Sequence, residues 1–270
     1  MSTKTKSAKG SFNALFTALS IIIAIVLGFI VWKYIMGNPA NFEGGNPQGH
    51  PLPGNLLAII YKGGFIVPFL IGANLTAIIF TIERFISLSR AKGHGQLTSF
   101  VRNIQEMLRN DRIEDALVTC DKQRGSLANV MKSGLIRYRD LQHDANLEKD
   151  QKIVAMQKEL EEASALELPM LSRNLVILST IATISVLIGL LGTVFGMIRA
   201  FAALAQAGAP DALALATGIS EALINTAFGI FGSLISIILY NYFSARIDAF
   251  TFKIDEAGFS LVQTFASSVK

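Results

Sequence analysis

The 270 residues are 51% hydrophobic and only 16% charged, with a mean hydropathy of +0.46. Soluble domains carry roughly 25% charged residues, so this composition points to an integral membrane protein. The net charge is only +4. Its cations follow the ends of apolar runs and form no basic stripe, which excludes a nucleic-acid partner. A single cysteine, Cys120, excludes an intrachain disulfide. His50, His94 and His143 are scattered without metal-ligand spacing. No phosphate loop and no nucleophile–base pair is visible, so neither a cofactor nor an enzyme activity is expected.

Residues 1–11 carry Lys4, Lys6 and Lys9 and precede an apolar run at 12–36. That run is too long for a signal-peptide core and no Ala-x-Ala cleavage site follows, so it reads as a retained span. Residues 37–62 are rich in Gly, Pro and Asn and read as an external loop. A second span covers 63–82, with Pro68 and Asn74 read as helix contacts; Arg84, Arg90, Lys92 and Arg102 follow. Residues 83–173 form a cytoplasmic helical domain. Helices are expected over Gln96–Arg109, from a cap at Asn110 or Asp111 through Cys120, and from Ser126 to Tyr138. Helix-favouring composition then predicts one helix from Asn146 to Ala205, bent at Pro169 and about 90 Å long at 1.5 Å per residue. It contains a third span at 174–205. A cation-free external turn at 206–212 leads to a fourth span at 213–243. The tail at 244–270 continues that helix into the cytoplasm. Lys and Arg therefore place both termini on the cytoplasmic side. The fold class is an all-α membrane protein with about four transmembrane helices.

Glu221 stands out, because a carboxylate in a span persists only where it faces protein, water or a proton path. At about 100° per residue, Thr217, Gly218, Glu221, Asn225, Gly229, Gly232 and Ser236 share one face of the fourth span. Thr226 and Ser233 lie at its edge, and Leu223, Ile230, Leu234, Ile237 and Ile238 lie opposite. On the third span, Ser179, Ala182, Ser185, Gly189, Thr193, Gly196, Ala200 and Ala203 align, with Gly192 nearby. Small residues at this spacing let helix backbones approach in lipid. The stripe reads as a packing seam or as part of a polar path, and Thr193 can bond back to its own helix. Arg199, near the outer end of the third span, either snorkels to the interface or pairs with Glu221. Glu83 and Arg84 mark the cytoplasmic boundary of the second span.

Ile188–Phe201 (IGLLGTVFGMIRAF) and Gly218–Thr226 (GISEALINT), followed by Tyr240-Asn241, resemble the ExbB/TolQ family of proton-channel motor subunits. The resemblance is strong over Ile177–Phe243, organisational over the cytoplasmic region and absent from the first span. It implies an inner-membrane homo-pentamer whose last two spans surround the single-span helices of an ExbD- or TolR-like partner. Under this resemblance the external loop at 37–62 and the turn at 206–212 become periplasmic. A TonB- or TolA-like energy transducer would receive the work. It places the proton pathway at Thr193, Glu221 and Thr226; the helical faces add Asn225. Gly189, Gly192, Gly196, Gly229 and Gly232 are read as packing between pore helices, and Arg199 as a charge at the pore mouth. ExbB with TonB-dependent transport is the preferred reading, against a TolQ-like or MotA-like stator and a non-conducting scaffold. Several positions depart from the family pattern. Ser185-Val186 replaces an Ala-Pro pair, Thr217-Gly218 a Pro-Gly pair, and Ile235 a proline. Arg199 stands where Asn or His is expected, and the first span is additional.

Overall fold

A computed structural model describes residues 3–142, 147–205 and 211–268. His143 and residues 206–210 of the expected turn lie outside them. The described residues contain no strand, only one antiparallel bridge between Phe42 and Pro51. Four of their helices are long and apolar enough to cross a membrane. The chain is a multi-pass, all-α membrane protein. Its contacts divide into two compact units.

The first unit comprises residues up to Ile82 together with Val176–Tyr240. Helix α1 (Thr3–Ile30) ends in a π-helical turn, Val31–Met36. The loop that follows is built rather than slack. Asn41 Nδ2 donates to the carbonyls of Ile35 and Met36, which the helix end leaves without partners. Asn55 donates to Asn41 and caps α2 (Leu56–Tyr61) through the N–H groups of Leu57 and Ala58. Trp32 stacks on Tyr61 at 4.9 Å between ring centres, and Phe42 is buried against the edge of Tyr61. Lys62 Nζ donates to the Gln48 carbonyl; burial holds its pKa below that of an ordinary lysine. The chain then enters α3 (Val67–Lys92) through a turn at Gly64–Ile66.

In the second unit, α4 (Leu97–Arg109), α5 (Ile113–Gln123), α6 (Ser126–Gln142) and α7 (Lys149–Ser172) enclose a core. Ile104, Leu127, Met131, Leu135 and Met156 are almost fully buried in it. Ile254, Leu261 and Phe265 of α9 (Ala212–Ser268) complete that core. Tyr138 packs edge-on against Phe265 at 4.8 Å and donates its hydroxyl to Ser268.

Two local expectations need correction. Asn110 and Asp111 do not cap α5. Asn110 ends α4, donating its side chain to the Glu106 carbonyl, and Asp111 takes φ +56° in the turn. Nor does a single helix cover 147–205, the described part of the expected 146–205 helix; Asn146 lies outside the described residues. Pro169 lies inside α7 without ending it, and the break comes at Arg173-Asn174, before α8 (Leu175–Leu204). Asn174 has φ +60°, a left-handed conformation that asparagine tolerates better than most residues. Buried Arg84 donates Nη1 to the Leu171 carbonyl, one of the orphan acceptors at the end of α7, while Glu83 holds its other nitrogens.

Candidate functional site

The candidate site lies in the first unit, where α8 and α9 pack almost backbone to backbone. A Cβ on Gly189 would come within 2.8 Å of the Asn225 carbonyl, and one on Gly229 within 2.6 Å of the Ser185 carbonyl. Gly196 and Gly218 make a second close approach, each Cβ meeting main chain at 2.7 Å. Gly192 makes room for the side chain of Asn225, and Gly232 for Asn74 of α3. Asn74 also donates to Leu70 of its own helix. The glycine stripe thus joins helices within one chain. The polar face of α9 is turned into this seam, with Gly218, Glu221, Asn225, Gly229, Gly232 and Ser236 buried. The side of α9 carrying Leu223, Ile230, Leu234, Ile237 and Ile238 is exposed.

Glu221 and Asn225 meet the loop that enters α3. Asn225 Nδ2 donates to the Gly63 carbonyl at 2.9 Å. Gly64, at φ +75°, lies directly against Glu221, where any Cβ would collide with the carboxylate. Of the two readings of Arg199, the structure takes the pair: its Nη1 lies 2.8 and 2.7 Å from the two Glu221 oxygens. The partners differ sharply in exposure, at 60% for the Arg199 side chain and 5% for that of Glu221. The acid is enclosed and the guanidinium covers it.

The threonines lie elsewhere. Thr193 is half-buried and donates to the Leu190 carbonyl at 2.6 Å; Thr226 is half-buried and donates to Ala222 at 3.1 Å. Thr226 stands about 140° around α9 from Glu221, and Thr193 about 120° around α8 from Arg199. Because the helices are antiparallel, both threonines fall on one edge of the seam and the ion pair on the other. The structure therefore separates the expected polar set. The hydroxyls keep their lone pairs available for a further donor while their protons are held by the helix.

A model of the MotA/TolQ/ExbB proton channel family matches residues 123–256. The chain belongs to this family. The match includes the α8–α9 seam, both threonines and the ion pair; the MotA/TolQ/ExbB model does not extend to α1, its following loop or the loop entering α3. The Tol-Pal system protein TolQ of Haemophilus influenzae is 41% identical over 83 residues, 31% of this chain and 36% of the relative. The biopolymer transport protein ExbB of Salmonella typhimurium is 37% identical over 73 residues, 27% of this chain and 30% of the relative. A putative ExbB homolog of Methanothermobacter thermautotrophicus is 25% identical over 196 residues, 72% of this chain and 65% of the relative. The matches thus span about a third of the Haemophilus TolQ and Salmonella ExbB relatives and about two thirds of the Methanothermobacter homolog.

Signals for the loop contacts were weak. Gly63-Gly64 is an unremarkable pair in sequence, and nothing local ties it to Asn225 more than 160 positions away.

Proposed function

We propose that this chain is an ExbB-like subunit of a proton-driven membrane motor. Five copies would surround the single-span helix of an ExbD- or TolR-like partner in the inner membrane, with both termini cytoplasmic. The proton motive force would be delivered through a TonB-like transducer to transport across the outer membrane. The observation that carries the reading is the half-buried pair Thr193 and Thr226 on one edge of an α8–α9 seam within the family match. Uncharged hydroxyls can pass hydrogen bonds to a protonated carboxyl on a partner without holding a fixed charge. Glu221 and Asn225 act behind that edge: buried in the protomer, Glu221 ties α9 to Arg199 of α8 and Asn225 ties it to the loop entering α3. A TolQ-like motor serving envelope integrity is the second reading, favoured by the identity to TolQ over 83 residues.

The experiment is proton flux in proteoliposomes containing the chain and its single-span partner. Thr193→Val and Thr226→Val, which keep shape and remove the hydroxyl, are expected to lower flux at least tenfold. Serine at either position should retain most of it. Wild-type flux in both valine variants would reject the pathway. Growth dependent on outer-membrane uptake, compared with detergent sensitivity, separates the ExbB-like load from the TolQ-like one.

A further inference from the structure

Beside the Arg199–Glu221 pair, on the edge of the seam away from the threonines, lies a cavity of about 550 Å³. Phe65 and Phe69 form one wall at the entry to α3, and Ile188, Leu191 and Phe195 of α8 form the other. Arg199 and Glu221 close its outer end. The volume is within the roughly 300–1,000 Å³ of ordinary ligand sites.

We infer that this groove binds one phospholipid acyl chain, with the lipid phosphate held by Arg199. First, the groove is amphiphilic: its body is aliphatic and aromatic, and its only cation stands at one end. Secondly, Arg199 still has bonding capacity. Glu221 occupies Nη1, whereas Nε and Nη2 have no protein acceptor among the described residues, and the side chain is 60% exposed. A guanidinium edge of that kind matches a phosphate in bidentate fashion. Thirdly, the length fits. Ile188 to Arg199 is eleven residues of helix, about 16 Å, or half of the roughly 30 Å hydrocarbon core. The groove therefore spans one leaflet with its cation at the headgroup level. Fourthly, Ile188, Leu191 and Phe195 fall within about 80° of Arg199 around α8, and Thr193 lies about 120° away on its other side. A partner helix seated on the threonines leaves this groove to the bilayer. The inference does not depend on proton transfer.

The full chain, purified and delipidated in detergent, is titrated with dioleoylphosphatidylglycerol and with dioleoylglycerol, and lipid adducts are counted by native mass spectrometry. One tightly bound phosphatidylglycerol per chain is expected, with dioleoylglycerol at least fivefold weaker because it lacks the phosphate. Arg199→Gln should lower phosphatidylglycerol occupancy at least fivefold. Leu191→Trp, which fills the groove and leaves the ion pair intact, should do the same. A photoreactive benzoylphenylalanine at Leu191 should label lipid. Equal occupancy in wild type and Leu191→Trp, equal binding of both lipids, or a crosslink to a second copy of the chain would each overturn the assignment.

Discussion

Asn225 donates its amide to the carbonyl of Gly63, tying α9 to the loop that enters α3 across 162 positions of chain. Asn225 is fully buried, so the bond is made where neither group has water as an alternative. Asn225→Leu keeps the volume and removes the donor, leaving a buried carbonyl unpaired at a cost of about 1–3 kcal/mol. The melting temperature of the detergent-solubilised chain should fall by several degrees. No change would mean that the loop is held by packing alone.

Removing either member of the Arg199–Glu221 pair should have unequal effects. Arg199→Gln takes the ionic partner from a carboxylate that is 5% exposed in the pair, whereas Glu221→Gln takes it from a cation that is already 60% exposed and can be solvated elsewhere. The first should therefore destabilise more. The double variant should recover part of the loss, because the uncompensated buried charge is gone. A thermodynamic cycle on thermal unfolding should give a coupling of about 1.5–3 kcal/mol, the range for hydrogen bonds to charged groups. A coupling near zero would place this pair with exposed surface bridges.

Two glycines of α9 should respond to alanine with opposite signs. At Gly229 the new methyl would meet the Ser185 carbonyl at 2.6 Å and the Gly189 Cα at 2.9 Å, both main chain that cannot yield cheaply. A loss of about 1–3 kcal/mol is expected from overpacking. At Gly258 the nearest atom is 3.9 Å away, the end of the Leu160 side chain. There alanine should stabilise by up to about 1 kcal/mol through helix propensity. Denaturant or thermal midpoints of the two variants decide the matter, and equal shifts would contradict the seam.

Periodicity carried most of this fold. The 3.6-residue repeat places Thr217, Gly218, Glu221, Asn225, Gly229, Gly232 and Ser236 on one face, and all of them but the exposed Thr217 are buried. What periodicity cannot say is what covers a face. Small and polar residues suit a helix crossing as well as a polar path, and here they make the crossing. The ion pair was legible as a possibility, because Arg199 and Glu221 fall at similar depth on neighbouring spans. A continuous helix bent at Pro169 is the expectation, and the structure departs from it for a physical reason. Proline is the strongest local helix breaker, yet Pro169 is accommodated within α7. The break occurs where Asn174 accepts a positive φ and Arg84 supplies a donor to the freed Leu171 carbonyl. That donor comes from 87 residues away, beyond the reach of any local signal.

Cys120 gives a pH-dependent test of the helical core around α5. Burial pushes its thiol pKa from 9.0 up to about 12, with the Asp121 charge adding to the shift and Lys132 opposing it. The raised value means that the folded state keeps its proton longer than the unfolded state. Below about pH 9 the thiol is protonated in both states and contributes no pH dependence. Above that, the unfolded chain loses the proton and the folded one does not, so stability falls as pH rises toward 12. The slope approaches about 1.4 kcal/mol per pH unit from this group alone. Cys120→Ala removes that component and adds only a constant offset for the small cavity. Unfolding midpoints of both proteins between pH 8.5 and 10.5 should therefore converge with rising pH. Parallel curves would show that the thiol ionises as readily in the folded chain as in the unfolded one. Maleimide labelling at pH 8 should in turn be negligible until denaturant opens the core, because the thiolate is the reactive form and the residue is only 2% exposed.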